Sequence, residues 1–210
     1  MLEGNPWIRK VKQVRRAYSQ LPGDTIEIDC EYRAPIALVH WKDYYWLVDG
    51  EGVKLPEQFT SEQVPRIIMG RDRKMNIRVV EGIDRPPPES GRKWAGDDLT
   101  AGLDMVRLLF GRPYAEEIVK VDVSNHLGRR DPREAQIVLV TKYNTEIRWG
   151  RPVHAEDYFI EVSTARKLKY LEQIFKEFKR VDGHHPWIDI RFDKITYPSV
   201  EPQQEHASGQ

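Results

Sequence analysis

The sequence predicts an α+β fold with largely antiparallel sheets. Short runs of period-2 alternation crowd the first 55 residues, and the two stretches with helical spacing come only after residue 95. A final alternating run, "WIDIRFD" (187–193), follows the second of them. Helices grouped in this way, rather than alternating one for one with strands, argue against a doubly wound parallel sheet.

The strands come first. In "TIEIDCEY" (25–32), Ile26, Ile28, Cys30 and Tyr32 fall on one face, with Glu27, Asp29 and Glu31 on the other. "WIRKVKQVRRAY" (7–18) reads as its partner across a turn at "LPGD" (21–24). Pro35 breaks the run. "IALVHW" and "YYWLVD" follow as two strands joined across Lys42 and Asp43, and "DGEG" (49–52) turns the chain into "VKL". Residues 71–95 are polar and hold three consecutive prolines, which favour extended backbone, so they read as a surface loop or linker. A proline-rich ligand for another domain is the alternative.

In "DDLTAGLDMVRLLFG" (97–111), Leu99, Leu103, Val106 and Phe110 share one helical face. Asp97 and Asp98 lie at the positive end, and Gly111 stands where the chain leaves. "EIVKVDVS", "AQIVLVTKY" and "TEIRWG" are three further strands, with turn signals at Gly128, Asp131–Pro132 and Asn144. The second helix places Leu168, Leu171, Ile174, Phe175 and Phe178 in one stripe, with Ser163 as N-cap and Gly183 as its end. Arg166, Lys167, Lys169 and Lys176 are expected to face water. The tail, 201–210, lacks apolar content and is expected to be disordered.

With 33 basic and 33 acidic residues, the 210-residue chain has no net charge to favour nucleic acid. A single cysteine, Cys30, excludes an internal disulfide and a cysteine-rich zinc site. It reads as a small core residue. No apolar run approaches the roughly 18 residues of a membrane span, so the chain by itself reads as soluble. Neither a phosphate loop, a nucleophile elbow nor HExxH occurs, and His184 and His185 have no evident helpers for a metal. No catalytic residue, cofactor or metal is expected.

The closing run raises a question of phase. Ile188, Ile190 and Phe192 alternate with Asp189, Arg191 and Asp193, which puts the apolar three on the buried face. Carried on, that count buries Lys194 and turns Ile195 and Tyr197 to water, with Thr196 between them. Residues Arg191, Phe192, Asp193, Lys194, Ile195, Thr196 and Tyr197 are therefore the candidate partner-binding edge. A β-bulge near Asp193 that restores the inward phase is the alternative.

"NPWIRKVKQVRRAY", "DTIEIDCEYRAPIALVHW", "YWLVDGEGVKL", "VPRIIMG", "EIRWGR" and "WIDIRFD" occur in one order along residues 5–197. In that order they resemble the extracytoplasmic part of the FtsQ/DivIB cell-division family. Pro6, Trp7, Gly150 and Arg151 are the structural motif residues of this resemblance. It implies a partial POTRA domain over 1–34 and an FtsQ-type β domain over 35–200. It further implies a non-enzymatic divisome scaffold on the periplasmic side of the bacterial inner membrane at the septum. Its partners would be FtsB-like and FtsL-like proteins and other divisome components, with the membrane reached only through an N-terminal anchor that this sequence lacks. Three features differ from the family: the missing span and first part of the POTRA unit, the proline-rich insertion, and "KITY" in place of a small, glycine-containing stretch.

Overall fold

The computed structural model describes residues 4–17, 25–68, 77–155 and 160–198. The expected turn at 21–24, the first part of the 71–95 segment and the tail at 201–210 lie outside the described residues. Among the described residues the fold is mixed α+β, with a two-stranded ribbon beside one eight-stranded sheet and three helices. The ribbon pairs β1 (Ile8–Ala17) with β2 (Thr25–Tyr32), antiparallel. The sheet holds β3 (Pro35–Trp41), β4 (Tyr44–Asp49), β5 (Lys54–Phe59), β6 (Arg78–Glu81), β7 (Ile118–Asp122), β8 (Ile137–Thr141), β9 (Glu146–Gly150) and β10 (Trp187–Asp189). Its order is β10-β9-β8-β7-β6-β3-β4-β5.

The sheet is more parallel than the sequence suggests. Pairings β3–β4, β4–β5, β7–β8 and β8–β9 are antiparallel, while β3–β6, β6–β7 and β9–β10 are parallel. Two of the three parallel pairings come from β6, a central strand inside the segment expected to be a surface loop. Only four residues long, it lies buried on both faces, so its apolar content shows no alternation. It also begins with a charge. Arg78 is 2% exposed and donates from Nε to the Ile118 carbonyl (3.0 Å) and from Nη2 to the Ala115 carbonyl (2.7 Å). Burial pushes its guanidinium pKa down to about 10.

Helix α1 (Val64–Ile68), not expected from the sequence, joins Leu38, Leu47, Leu55, Ile77 and Val79 on one face of the sheet. Helices α2 (Asp97–Leu108) and α3 (Thr164–Phe178) contribute to the larger core on the other. In α2, Leu99, Leu103 and Val106 are buried as the spacing predicts. Phe110 is 58% exposed, because the helix ends before it and Leu109 takes the buried place. Ser163 caps α3, accepting from the Arg166 N–H, and Leu168, Leu171 and Ile174 are buried. Phe175 is half-buried with its ring 6.1 Å from that of Tyr114. Phe178 is exposed, because Lys179 in left-handed conformation ends the helix there, ahead of Gly183.

The basic face of α3 holds an exception. Lys167 is 3% exposed, not solvated: its Nζ donates to Glu161 Oε2 (2.7 Å) and stands 5.3 Å from the centre of the Trp149 ring. Desolvation lowers its pKa against the opposing pull of Glu161.

Among the described residues, the ribbon meets the sheet at its base. Trp7 Nε1 donates to Glu57 Oε1 (3.0 Å) and the Trp7 carbonyl accepts from the Arg33 N–H (2.9 Å). Arg33 pairs with Asp49 (2.7 Å), and Arg9 with Glu51. Beyond that base the apolar face is open. Val14, Ile26 and Tyr32 are each more than half exposed, and Cys30 is half-buried rather than core, because no layer covers them among the described residues.

Candidate functional site

The closing strand ends after three residues. Ile188 and Ile190 are fully buried, as the alternation predicts, and β10 lies parallel to β9 with Ile188 opposite Ile147. Asp189 then stops the strand. Its carboxylate accepts from the Arg191 N–H (3.1 Å) and from the Arg191 guanidinium at Nε (3.0 and 3.1 Å) and Nη2 (2.7 Å). That contact holds the Arg191 pKa above its usual value. The chain turns through 190–193 and comes back along β10.

On its return, Thr196 pairs with Asp189. The Asp189 N–H donates to the Thr196 carbonyl (2.9 Å) and the Thr196 N–H to the Asp189 carbonyl (3.0 Å). An antiparallel pair that exchanges both bonds leaves the main-chain groups of its two flanking residues pointing the other way. Those residues are Ile195 and Tyr197. Neither uses its N–H or C=O in a hydrogen bond among the described residues.

The reversal turns Ile195 and Tyr197 inward, the phase of the bulge alternative, but reaches it by a turn. Ile195 and Tyr197 are half-buried against the larger core, not turned to water, and the Tyr197 ring lies 4.2 Å from that of His185. Burial raises the Tyr197 pKa. Phe192, expected on the buried face, is 38% exposed at the tip of the turn, and Lys194 is exposed rather than buried. Neither a bulge nor a continuing strand produces this; the Asp189–Arg191 contact does. Thr196 faces solvent with its side chain and the sheet with its backbone. The seven candidate residues thus come together as one turn and one outer edge.

Helix α3 fixes this segment from the side. The Tyr170 hydroxyl donates to the Asp193 carbonyl (2.8 Å), and Arg166 pairs with the Asp193 carboxylate (2.9 Å). Two loops hold the turn from the end. Arg191 Nη1 donates to the Arg133 carbonyl (3.0 Å), and the Val162 N–H donates to the Arg191 carbonyl (2.8 Å). Sequence reasoning missed these ties, since nothing in the spacing of Arg133, Val162 and Tyr170 relates them to residue 191.

The four motif residues lie elsewhere. Pro6 and Trp7 sit at the base of the ribbon, where Pro6 approaches Gly91 and Trp7 packs on the smaller core. Gly150 ends β9 at φ 96°, and a Cβ there would stand 2.2 Å from Glu161 Oε2, which also accepts from the Arg151 N–H (3.0 Å). Of the paired histidines, His185 packs its ring against that of Tyr197 at a tilt of 35°, and the His184 N–H donates to Asp182 (3.0 Å). No cluster of three or more His, Cys, Asp or Glu suited to a metal occurs among the described residues.

No protein-family model matches the chain, and no curated protein matches it. Among the described residues, no helix is long and apolar enough to cross a membrane.

Proposed function

We propose that the chain is a binding scaffold rather than an enzyme, and that its closing edge accepts an extended segment of another protein. The observation that carries this reading is the pair of outward main-chain positions at Ile195 and Tyr197. A strand laid against them gains backbone hydrogen bonds at no cost to the sheet, and exposed Phe192 and Lys194 stand beside it to select side chains. Because Asp189, Arg191, Tyr170 and Thr196 already hold the segment, little ordering is left for the partner to impose.

The resemblance to the FtsQ/DivIB family names the partner: an FtsB-like segment beyond its coiled coil, with an FtsL-like protein and other divisome components in the same assembly. The setting is then the extracytoplasmic face of the inner membrane at the division septum. The 1–34 ribbon as a partial POTRA unit and the 35–200 body as an FtsQ-type β domain belong to the same reading.

Amide hydrogen exchange followed by NMR tests it. In the free chain the Thr196 amide is protected by Asp189, whereas those of Ile195 and Tyr197 exchange quickly. Addition of an FtsB-like peptide is expected to slow both. Binding that leaves both amides fast would rule out strand addition here.

A second reading has its own observation. The open apolar face formed by Val14, Ile26, Ile28 and Tyr32 suits a POTRA-type chaperone or translocation module that binds client strands through its first sheet. In that case the new protection falls within residues 10–32.

A further inference from the structure

Lys54 opens β5 and is 7% exposed. Its cross-strand partner is Val48 and its chain neighbours are Val53 and Leu55, all of them buried. An ammonium group in apolar surroundings with no carboxylate beside it costs stability. Buried amines of this kind concentrate at functional sites. The amine of Lys54 reaches one polar group among the described residues, the Ser90 hydroxyl, with Nζ 2.9 Å from Oγ.

Main-chain bonds hold the serine over the lysine. The Lys54 N–H donates to the Arg92 carbonyl (3.0 Å), and the Gly91 N–H donates to the Lys54 carbonyl (2.8 Å). Ser90 takes the second position of a β-turn closed by the Arg92 N–H on the Glu89 carbonyl (3.1 Å). Gly91 follows at φ 84°, the left-handed conformation that a glycine supplies at the third position. The turn lifts Ser90 to the surface: the residue is exposed, and its N–H makes no hydrogen bond among the described residues. A dry amine and a wet hydroxyl thus touch at the boundary with water.

We propose that Ser90 is a nucleophile for acyl transfer, with Lys54 as its general base and a small carboxylic ester as the acyl donor. This adds a site of covalent modification to the scaffold and does not rest on the strand-addition reading. The neutral Lys54 amine accepts the Ser90 hydroxyl proton as Oγ attacks the ester carbonyl carbon. An Oγ–C bond forms, and the carbonyl oxygen takes up the negative charge with the Ser90 N–H as a donor to it. The ester C–O bond then breaks. The Lys54 ammonium group returns the proton to the departing oxygen, leaving O-acyl-Ser90 and a free alcohol. The lysine serves only while uncharged. Burial lowers its pKa from 10.5, and no charged neighbour adds to that shift or opposes it.

The test incubates the full chain with p-nitrophenyl acetate and locates the acetyl group by peptide mass spectrometry. Ser90 is expected to carry it, at a rate that rises with pH through a midpoint below 10.5. Lys54→Met is expected to slow that rate about a hundred-fold or more, the scale of general-base catalysis. Lys54→Arg, which keeps a donor but stays charged, is expected to do the same. Acetylation of other residues without Ser90 overturns the proposal, and so does acetylation of Ser90 that runs equally fast in either folded variant. If both variants fail to fold, the unaltered chain still decides: a Ser90 rate that follows hydroxide through 10.5 with no midpoint overturns the proposal.

Discussion

Asp189 and Thr196 exchange both of their main-chain hydrogen bonds, so the last described residues of the chain form the outermost position of its sheet. Thr196→Pro removes one of those bonds and leaves the Asp189 carbonyl without its donor. The expected cost is about 1 kcal/mol, the usual net worth of one such bond. The more telling effect is local: the Tyr197 ring should leave His185, and exchange of the Asp189 amide should speed up. A substitution that left the Asp189 amide as protected as before would contradict the pairing. Tyr197→Ala, by the same geometry, costs stability as well as binding, because that ring is half-buried.

At Gly150 the structure supplies the reason for a glycine that the sequence only marks as a strand end. With φ at 96°, any side chain is strained, and its Cβ would collide with the Glu161 carboxylate. That carboxylate neutralises buried Lys167. Gly150→Val is therefore expected to lower stability by about 3 kcal/mol or more, in the range for breaking a buried ion pair. Urea unfolding measures it. A loss of about 1 kcal/mol, the low end of what backbone strain alone costs, would mean that Glu161 keeps its contact.

How much of this was legible beforehand follows from what each residue's neighbours in sequence can report. "EIRWG" announced itself because alternation records a single boundary with water, while "TIEIDCEY" alternates in the same way although its apolar face is open among the described residues. Strand β6 did not, since both its faces are buried and its first residue is an arginine satisfied by carbonyls some forty positions away. The candidate edge was legible as a place and not as a shape. The break in phase after Phe192 was in the sequence, but its cause is a side chain gripping its own backbone two residues on, joined by contacts from Arg133, Val162 and Tyr170. Lys167 misled for another reason: a lysine on a basic helix face reads as solvated, and nothing in the spacing shows that the chain ahead of the helix folds Glu161 back onto it.

The stripe of α3 separates a core position from one that resembles it in sequence. Leu171 is fully buried, and Leu171→Ala is expected to cost about 3 kcal/mol. Phe178, larger and in the same predicted stripe, lies in the last turn and is 39% exposed; Phe178→Ala is expected to cost about 1 kcal/mol. Thermal or denaturant melts of the two variants compare them directly. A larger loss for Phe178 than for Leu171 would overturn the helix end at Lys179.

Lys54 closes the set because the expected change is a gain. It is buried in β5, and the only hydrogen-bond partner of its ammonium group among the described residues is the Ser90 hydroxyl (2.9 Å), with no carboxylate beside it. Burial alone therefore lowers its pKa from 10.5, with no opposing contribution. Between that lowered value and 10.5 the unfolded chain binds more protons than the folded one, so the lysine's contribution to stability rises with pH across that window. Below it the penalty is present in full. Lys54→Met keeps the length of the side chain and removes the charge, and is expected to raise stability at neutral pH by about 1 kcal/mol. The gain should shrink as pH climbs through the lowered value toward 10.5, since the folded lysine is then losing its charge, and above 10.5 it is neutral in both states. Urea titrations of the two chains at about pH 7 and about pH 10 measure the difference. A Lys54→Met chain that is less stable than the unaltered one at neutral pH, or a gain that does not change with pH, would show that the ammonium group is needed where it lies.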